Sequence, residues 1–430
     1  MSLLCGLIAF VPGCADDDYF YGAPRLPTFS PDGSVFAYVR QPSYHGKGDP
    51  IQRLDVCWRN VSRPEVEHVA TTQTKIATFH DRATLDMIVR FAPDSQHLAV
   101  ATPLNLEVVD LRTAELRRVS EPLELVTSCA WLDEQTVVYA AHTSRSGQVP
   151  ETSQRTFYAH RIDQASSQRR VLFREEAVQA GTDLFDWPLE RWSPDGQHVI
   201  FMNPYEHGRF RLLQVASGRV RDVGPCDGYT SSVAWKPDSS AAACVAGRWP
   251  VQAWMVEPGT GQIRDFSVPF RAAFGDYPPR IGPLWTADNQ YLLVHTDRLG
   301  GCLVRPVPWQ VIDVRLLLQQ HLDPADRPHD ARTARRWPTW ALQTVPVPGW
   351  IACWAPAASL WIINYDATLR VDLGPRWISF NEWSISPDGR WFLQSGSSYE
   401  DSTYRQPVNP LRRLDLPSSQ AAPASKEGGR

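Results

Sequence analysis

The sequence lacks the linear motifs that mark the common classes of enzyme and metal site. It contains no Gly-x-Ser-x-Gly nucleophile elbow, no His-Glu-x-x-His pair, no Gly-x-x-x-x-Gly-Lys-Ser/Thr phosphate loop and no Gly-x-Gly-x-x-Gly turn. Its eight cysteines include no Cys-x-x-Cys pair, so the usual zinc-binding pattern is missing. These absences favour a protein that is not an enzyme and that uses neither a metal nor a cofactor.

The chain also lacks an excess of either charge and any apolar run long enough to span a bilayer. A net charge of −4 and a pI near 6.3 give no basic footprint for nucleic acid, so we expect no nucleic-acid partner. What the chain does contain is 43% hydrophobic residues, with 17 tryptophans among its 430 residues. That composition can fill a large core.

The most informative feature is a short phrase that recurs along the chain: an apolar residue, a small or polar residue, Pro, Asp, then Gly or Ser. Proline presets the first corner of a turn, aspartate caps the backbone, and glycine tolerates positive φ, so each copy predicts a tight turn between two strands. The predicted structural turn residues are Pro31, Asp32, Gly33, Pro93, Asp94, Pro194, Asp195, Gly196, Pro237, Asp238, Pro387, Asp388 and Gly389.

Three degenerate copies extend the series to eight, at 131–134, 285–288 and 354–357. The copies recur about every 51 residues, a period typical of propeller blades with inserted loops. We therefore predict an all-β fold, a single β-propeller of four-stranded blades over residues 15–417. Eight blades are favoured and seven remain possible. The segment 18–21 is a candidate for the strand that completes the last blade.

The Ser-Pro-Asp-Gly turn followed by an apolar strand resembles the WD-like repeats of TolB-type β-propellers. The resemblance covers residues 29–416. The resemblance implies protein partners. It does not assign a catalytic role to any residue of this chain. The Gly-His and Trp-Asp signatures of eukaryotic WD repeats are missing.

The N-terminus is the second informative feature. Residues 1–14 are a short apolar stretch ending in Val-Pro-Gly-Cys, which resembles a bacterial lipobox. This interpretation makes Cys14 the lipid anchor and places the propeller at the cell envelope, held to the membrane by the anchor alone. The alternative is that 3–11 forms an apolar β-strand or a frayed tail, which would leave a soluble protein.

Three insertions are candidates for specificity, because propeller loops gather on the two faces. They are 41–49, 142–154 and the helical and charged insertion 309–340, in which the spacing of apolar residues predicts a helix over 310–322. That helix either covers apolar surface of the propeller or presents a face to a partner. Residues 418–430 are predicted to be a disordered tail.

Two functions remain open from the sequence. The first is a noncatalytic module of the cell envelope that binds a protein or a glycan. The alternative is an enzyme or small-ligand binder with its site in the central channel, where side chains from several blades converge without a linear motif.

Overall fold

The computed structural model describes most of the chain between Pro24 and Leu416. The described residues are 24–40, 51–75, 88–102, 105–122, 124–143, 152–163, 169–175, 178–179, 190–203, 208–226, 232–246, 250–276, 281–296, 300–321, 342–354, 359–375, 383–394 and 411–416. They form an eight-bladed β-propeller of antiparallel sheets, which confirms the predicted fold class and selects eight blades over seven.

Blades 1 to 4 occupy the first half of the chain. Blade 1 is β1 (Pro24–Phe29), β2 (Val35–Arg40), β3 (Ile51–Asn60) and β4 (Arg63–Lys75); blade 2 is β5 (Ile88–Phe91), β6 (His97–Thr102), β7 (Asn105–Asp110) and β8 (Leu116–Arg118); blade 3 is β9 (Glu124–Trp131), β10 (Thr136–Thr143), β12 (Arg155–Arg161) and β13 (Arg169–Arg174); blade 4 is β15 (Glu190–Trp192), β16 (His198–Asn203), β17 (Arg209–Gln214) and β18 (Arg219–Pro225). A small extra sheet pairs β11 (Thr152–Ser153) with β14 (Val178–Gln179).

Blades 5 to 8 follow with the same order. Blade 5 is β19 (Ser232–Trp235), β20 (Ala242–Ala246), β21 (Gln252–Glu257) and β22 (Gln262–Asp265); blade 6 is β23 (Ile281–Trp285), β24 (Leu292–Thr296), β25 (Gly300–Pro306) and β26 (Trp309–Asp313); blade 7 is β27 (Leu342–Thr344), β28 (Trp350–Trp354), β29 (Ser359–Asn364) and β30 (Arg370–Pro375); blade 8 is β31 (Trp383–Ile385), β32 (Trp391–Gln394) and β33 (Leu411–Arg413). The two helices are α1 (Ser267–Phe274) and α2 (Val314–His321).

From blade 1 to blade 7 the first strand of each blade contacts that of the next, and β31 contacts β1, so the ring closes between blades 8 and 1. Alternating apolar residues from facing blades fill the space between them in a series of separate core clusters. Indole N–H groups add a second link between blades. Trp131 donates to the carbonyl of Arg90 at 2.9 Å, and Trp235 donates to that of Arg191 at 2.8 Å.

The two faces of the ring differ because the strands alternate in direction. The turns that join first to second strands, and third to fourth strands, all lie at one end, which we call the turn face. The connections from second to third strands, and from each blade to the next, lie at the opposite end, the loop face. Both helices follow the fourth strand of a blade and therefore belong to the loop face.

Two predictions need correction. The prediction of a first turn at 354–357 is wrong, because Trp350–Trp354 is the second strand of blade 7. The first turn of that blade is 345–349, where Gly349 has φ 83°. The predicted helix 310–322 begins too early. Residues Trp309–Asp313 form a strand that pairs with β25, and the observed helix covers Val314–His321. Helix α1 was not predicted. The candidate closing strand 18–21 lies outside the described residues.

Candidate functional site

The predicted turn residues all lie on the turn face, one group in each of five blades. In blade 4, Asp195 accepts hydrogen bonds from the Ser193 hydroxyl at 2.5 Å and from the backbone N–H of Gln197 at 3.0 Å. The Ser193 hydroxyl in turn accepts from the backbone N–H of His198 at 3.0 Å. The turns at Asp32 and Asp388 repeat this arrangement. Asp94 and Asp238 lack the serine but still accept from the backbone N–H two residues on, and Asp94 also lies 2.9 Å from His97 Nδ1.

Neighbouring turns are hydrogen-bonded to one another. The backbone N–H of Asp195 donates to the Ser239 hydroxyl of the next blade at 3.0 Å, and that of Asp32 donates to Ser95 at 3.4 Å. Burial alone would raise the pKa of the Asp32 carboxyl, but hydrogen bonds from Ser30, Ser34 and Ser95 outweigh it and hold the pKa below its usual value. The aspartates are thus distributed around the ring, each bound within its own turn, and do not converge on a reaction centre.

The most concentrated group of charged side chains lies between blades 3 and 4, and we call it the ion-pair chain. Its outer end is at the rim, where Asp222 lies 2.9 Å from Arg209 Nε and 3.8 Å from Arg211 Nε. Arg211 then reaches across to blade 3, where its Nη1 lies 3.3 Å from Glu175 Oε1. Glu175 accepts a hydrogen bond from Arg155 Nε at 2.8 Å.

The inner end of the ion-pair chain reaches the first strands. Arg155 Nη1 donates to Glu190 Oε1 at 2.9 Å, which crosses back to blade 4. Glu190 Oε2 accepts from the hydroxyls of Thr127 and Ser128, the latter at 3.0 Å. Arg155, Glu175 and Glu190 are between 2% and 5% exposed, so these three charged groups are buried against one another. Arg155 also lies 4.9 Å above the ring of Phe201.

His142 is buried beside this inner end, with Nε2 4.0 Å from Glu190 Oε1. Burial lowers the pKa of His142 to about 4, and the nearby Arg155 charge acts in the same direction while Glu190 opposes it. The imidazole is therefore neutral at pH 7. Thr127 lies at an irregularity in the pairing of β9 with β10, and this bulge aims its hydroxyl at Glu190.

A second polar cluster lies on the outer strands of blade 1. Glu67 pairs with Arg59 Nη2 at 2.7 Å and with Arg40 Nη1 at 3.1 Å, and it accepts a hydrogen bond from the Tyr38 hydroxyl. Burial raises the pKa of Tyr38, and the hydrogen bond to Glu67 raises it further. The Glu67 carboxylate is thus shared by three donors of this cluster.

A cleft of about 270 Å³ opens on the turn face between blades 1 and 2. Trp58 and the stacked ring of His68, 5.6 Å away, form part of its wall, with Asn60, Gln96 and Arg112 around them. The indole N–H of Trp58 is already used by the carbonyl of Leu111 at 3.2 Å.

The loop face carries both helices. Helix α1 buries Phe270 and Phe274 in the core between blades 5 and 6, and α2 buries Val314 and Leu318 between blades 6 and 7. Each helix also exposes an apolar side chain: Val268 is 70% exposed and Leu316 is 51% exposed. Neither described helix has the length or the apolar character to span a bilayer.

Other predicted features are placed only in part. Cys14, residues 41–49, most of 142–154 and the charged part of 309–340 lie outside the described residues. The six described cysteines are buried, and no disulfide joins any two of them. Within the described ranges, no three His, Cys, Asp or Glu side chains are grouped so as to hold a metal ion.

No linear motif in the sequence indicates the ion-pair chain. Its members are far apart in sequence, and the one local signal is the recurrence of arginine on consecutive outer strands, as in Arg-Phe-Arg at 209–211 and Arg-Val-Arg at 219–221. Net charge, which averages over the chain, concealed that signal.

No protein-family model matches this chain, and no curated protein matches it. Among solved structures, an oligogalacturonate lyase from Vibrio parahaemolyticus is 15% identical, with 87% of this chain and 85% of the lyase covered and a TM-score of 0.44. An acylaminoacyl peptidase from Pyrococcus horikoshii is 10% identical, with 83% and 53% covered and a TM-score of 0.45. A eukaryotic initiation factor is 10% identical, with 81% and 88% covered and a TM-score of 0.47. Likenesses this distant say nothing about what this chain binds or catalyses.

Proposed function

We propose that this propeller is a noncatalytic module that binds a protein partner through its loop face. The observation that carries the proposal is the difference between the two faces. The described part of the turn face is built from short turns, neighbouring ones of which are hydrogen-bonded to one another, whereas the loop face holds two helices with exposed apolar side chains. Variation and binding in repeat folds concentrate on such loop-bearing faces.

The chemistry of the buried charges supports a binding role over a catalytic one. Glu190, which lies on the first strand of blade 4, accepts from Arg155, Thr127 and Ser128, so its oxygens are already engaged. A general base needs a lone pair directed at a substrate proton. The alternative, a catalytic or small-ligand site in the channel built on Glu190, would have to displace these donors.

Photo-crosslinking tests the binding face, and blades 5 to 7 offer comparable exposed positions on both faces. A benzophenone amino acid would replace Val268 or Leu316 on the loop face, and Val307 or Leu369 on the turn face, where these residues are 64% and 48% exposed. We expect a discrete protein adduct in cells from the two loop-face positions alone. Adducts from the turn-face positions alone, equal adducts from all four, or none from any would reject the proposal.

The location at the cell envelope is part of the same proposal and rests on the lipobox-like residues ending at Cys14. Labelled palmitate should be incorporated into the full-length protein expressed in a bacterium, and Cys14→Ala should abolish the label. Cys57→Ala is a suitable control, because that thiol is buried. Labelling that persists in Cys14→Ala, or that never occurs, would reject the anchor.

A further inference from the structure

Two arginines, which we call the channel arginines, occupy equivalent positions on the first strands of blades 2 and 4. Arg90 lies on β5 and Arg191 on β15, and each lies three residues before the proline of its blade's Pro-Asp turn. Their backbone carbonyls accept hydrogen bonds from the indoles of Trp131 and Trp235, each of which belongs to the next blade along the chain. The two side chains therefore start from the same level of the ring, close to its turn face.

The first strands surround the central channel, and both channel arginines are exposed to solvent. The Ser193 N–H donates to the carbonyl of His198 on β16, so in the alternating antiparallel pattern the Glu190 carbonyl points away from β16 and into the channel. Arg191 Nη1 donates to that Glu190 carbonyl at 3.1 Å. This hydrogen bond holds the Arg191 guanidinium at the channel wall.

Arg90 extends toward the same place from blade 2. It is opposite Ala99, which belongs to the core between blades 2 and 3, so Arg90 lies on the side facing blade 3. The residue at the same distance from the turn in blade 3 is Ala130, which has no long side chain to separate the two arginines. Protein around Arg191 displaces water and lowers its pKa, Glu190 opposes this, and the positive charge of Arg90 lowers the pKa further. Since blade 3 stands between blades 2 and 4, the two positive charges meet in the channel.

The channel arginines have no counter-charge of their own. Among the described residues, no carboxylate lies within ion-pair distance of either one, and the bond from Arg191 to the Glu190 carbonyl is the one hydrogen bond that their side chains make. The Glu190 carboxylate is engaged by Arg155, at 2.9 Å. Each guanidinium carries five N–H donors, so most donors of this pair remain available to a ligand.

We propose that the turn-face end of the channel binds a compact dianion, the phosphate group of a small molecule, between Arg90 and Arg191. Two guanidinium forks that arrive from different blades match a tetrahedral oxyanion, which offers acceptors in several directions. A phosphate group with a charge of about −2 neutralises both arginines, which a single carboxylate does not. The carboxylates of neighbouring first turns, such as Asp94 and Asp195, lie around this end and disfavour an extended polyanion. The loop-face helices lie at the opposite end of the ring, so this site stands or falls independently of the function proposed above.

Isothermal titration calorimetry of the full chain with inorganic phosphate tests the site. Arg90→Gln and Arg191→Gln should each weaken phosphate binding at least about tenfold, because each removes charge-assisted hydrogen bonds. The matched control is Arg112→Gln/Arg161→Gln, which removes the same charge from two exposed arginines on the outer part of blades 2 and 3. This control should leave binding within about twofold of wild type. Succinate, which carries its two charges on separate carboxylates, should bind more weakly than phosphate.

A conservative variant separates loss of the ligand contact from loss of the fold. Arg90→Lys keeps the charge but lacks the planar fork, so it should bind phosphate more weakly than wild type and more tightly than Arg90→Gln. At equal ionic strength, phosphate should also raise the melting temperature of the wild type and not that of Arg90→Gln/Arg191→Gln. No binding at millimolar phosphate, equal loss in the control variant, or Arg90→Lys no better than Arg90→Gln would each overturn the proposal. Tighter binding of succinate than of phosphate would overturn it in favour of a dicarboxylate.

Discussion

Removing Arg155 should destabilise the protein more than any other single change in the ion-pair chain. Arg155 is 2% exposed and is the cation shared by Glu175 and Glu190, so Arg155→Met leaves two buried carboxylates short of a partner. Breaking a buried ion pair from one side costs about 3–5 kcal/mol, because the remaining charge stays buried.

The surroundings place the expected cost in the middle of that range. Glu175 keeps Arg211 at 3.3 Å, and Glu190 keeps the hydroxyls of Thr127 and Ser128. These contacts soften the loss, while the lost contact between Arg155 and the Phe201 ring adds to it. We expect a loss of about 4 kcal/mol in the free energy of unfolding at pH 7.

Chemical unfolding followed by tryptophan fluorescence measures the effect, and a triple variant provides the control. Arg155→Met/Glu175→Leu/Glu190→Leu replaces the three charges by apolar groups of similar size and should recover stability to within about 1 kcal/mol of wild type. A cost under about 1 kcal/mol for Arg155→Met, or a triple variant as unstable as the single one, would refute the reasoning.

Two further predictions concern a turn and a histidine. Gly196→Ala should cost several kcal/mol more than Gly33→Ala, because both glycines have positive φ, but a Cβ at 196 would lie 2.3 Å from the Trp131 carbonyl while one at 33 meets nothing closer than 3.6 Å; equal unfolding free energies would contradict this. His142 has a pKa near 4 in the folded protein and a higher pKa in the unfolded chain, so as the pH falls the unfolded chain takes up the proton first. The free energy of unfolding should therefore fall by up to about 3 kcal/mol as the pH is lowered from about 6.5 to about 4. His142→Gln should flatten that part of a stability profile measured against pH; an unchanged profile would contradict it.

The blade pattern could be predicted from sequence because it depends on local chemistry. The serine hydroxyl and aspartate of a turn such as 193–197 bond within five residues, so their spacing is visible in the sequence. The first turn of blade 7, residues 345–349, could not be predicted in this way because it has no Ser-x-Asp and relies on Gly349 instead.

Helix boundaries were less predictable because tertiary pairing decided them. Residues 309–313 have helical periodicity yet pair with β25, and the helix begins only after Asp313, whose carboxylate accepts from the N–H groups of Arg315 and Leu316. Helix α1 was not predicted because Pro269 lies in its first turn. The buried phenylalanines of α1 stabilise the helix by packing in the core.

The candidate sites could not be predicted, because they join residues that only the ring brings together. Arg155 meets Glu190 across 35 residues, and Thr127 meets it across 63. No local rule links such pairs. The arginine-rich outer strands were visible, but which carboxylates they meet required knowing how neighbouring blades face each other.

Closure of the ring has a consequence for how the chain can fold. Strand β1 needs β31 as a neighbour, yet Trp383 follows Phe29 by 354 residues. During synthesis the early blades therefore have one unsatisfied flank until nearly the whole chain has been made. Contacts of such long sequence separation form slowly, and transiently uncovered strands invite association with other chains. The ring can therefore close only after the last blade has been synthesised. Truncation near residue 383 should affect aggregation before it affects the structure of any single earlier blade.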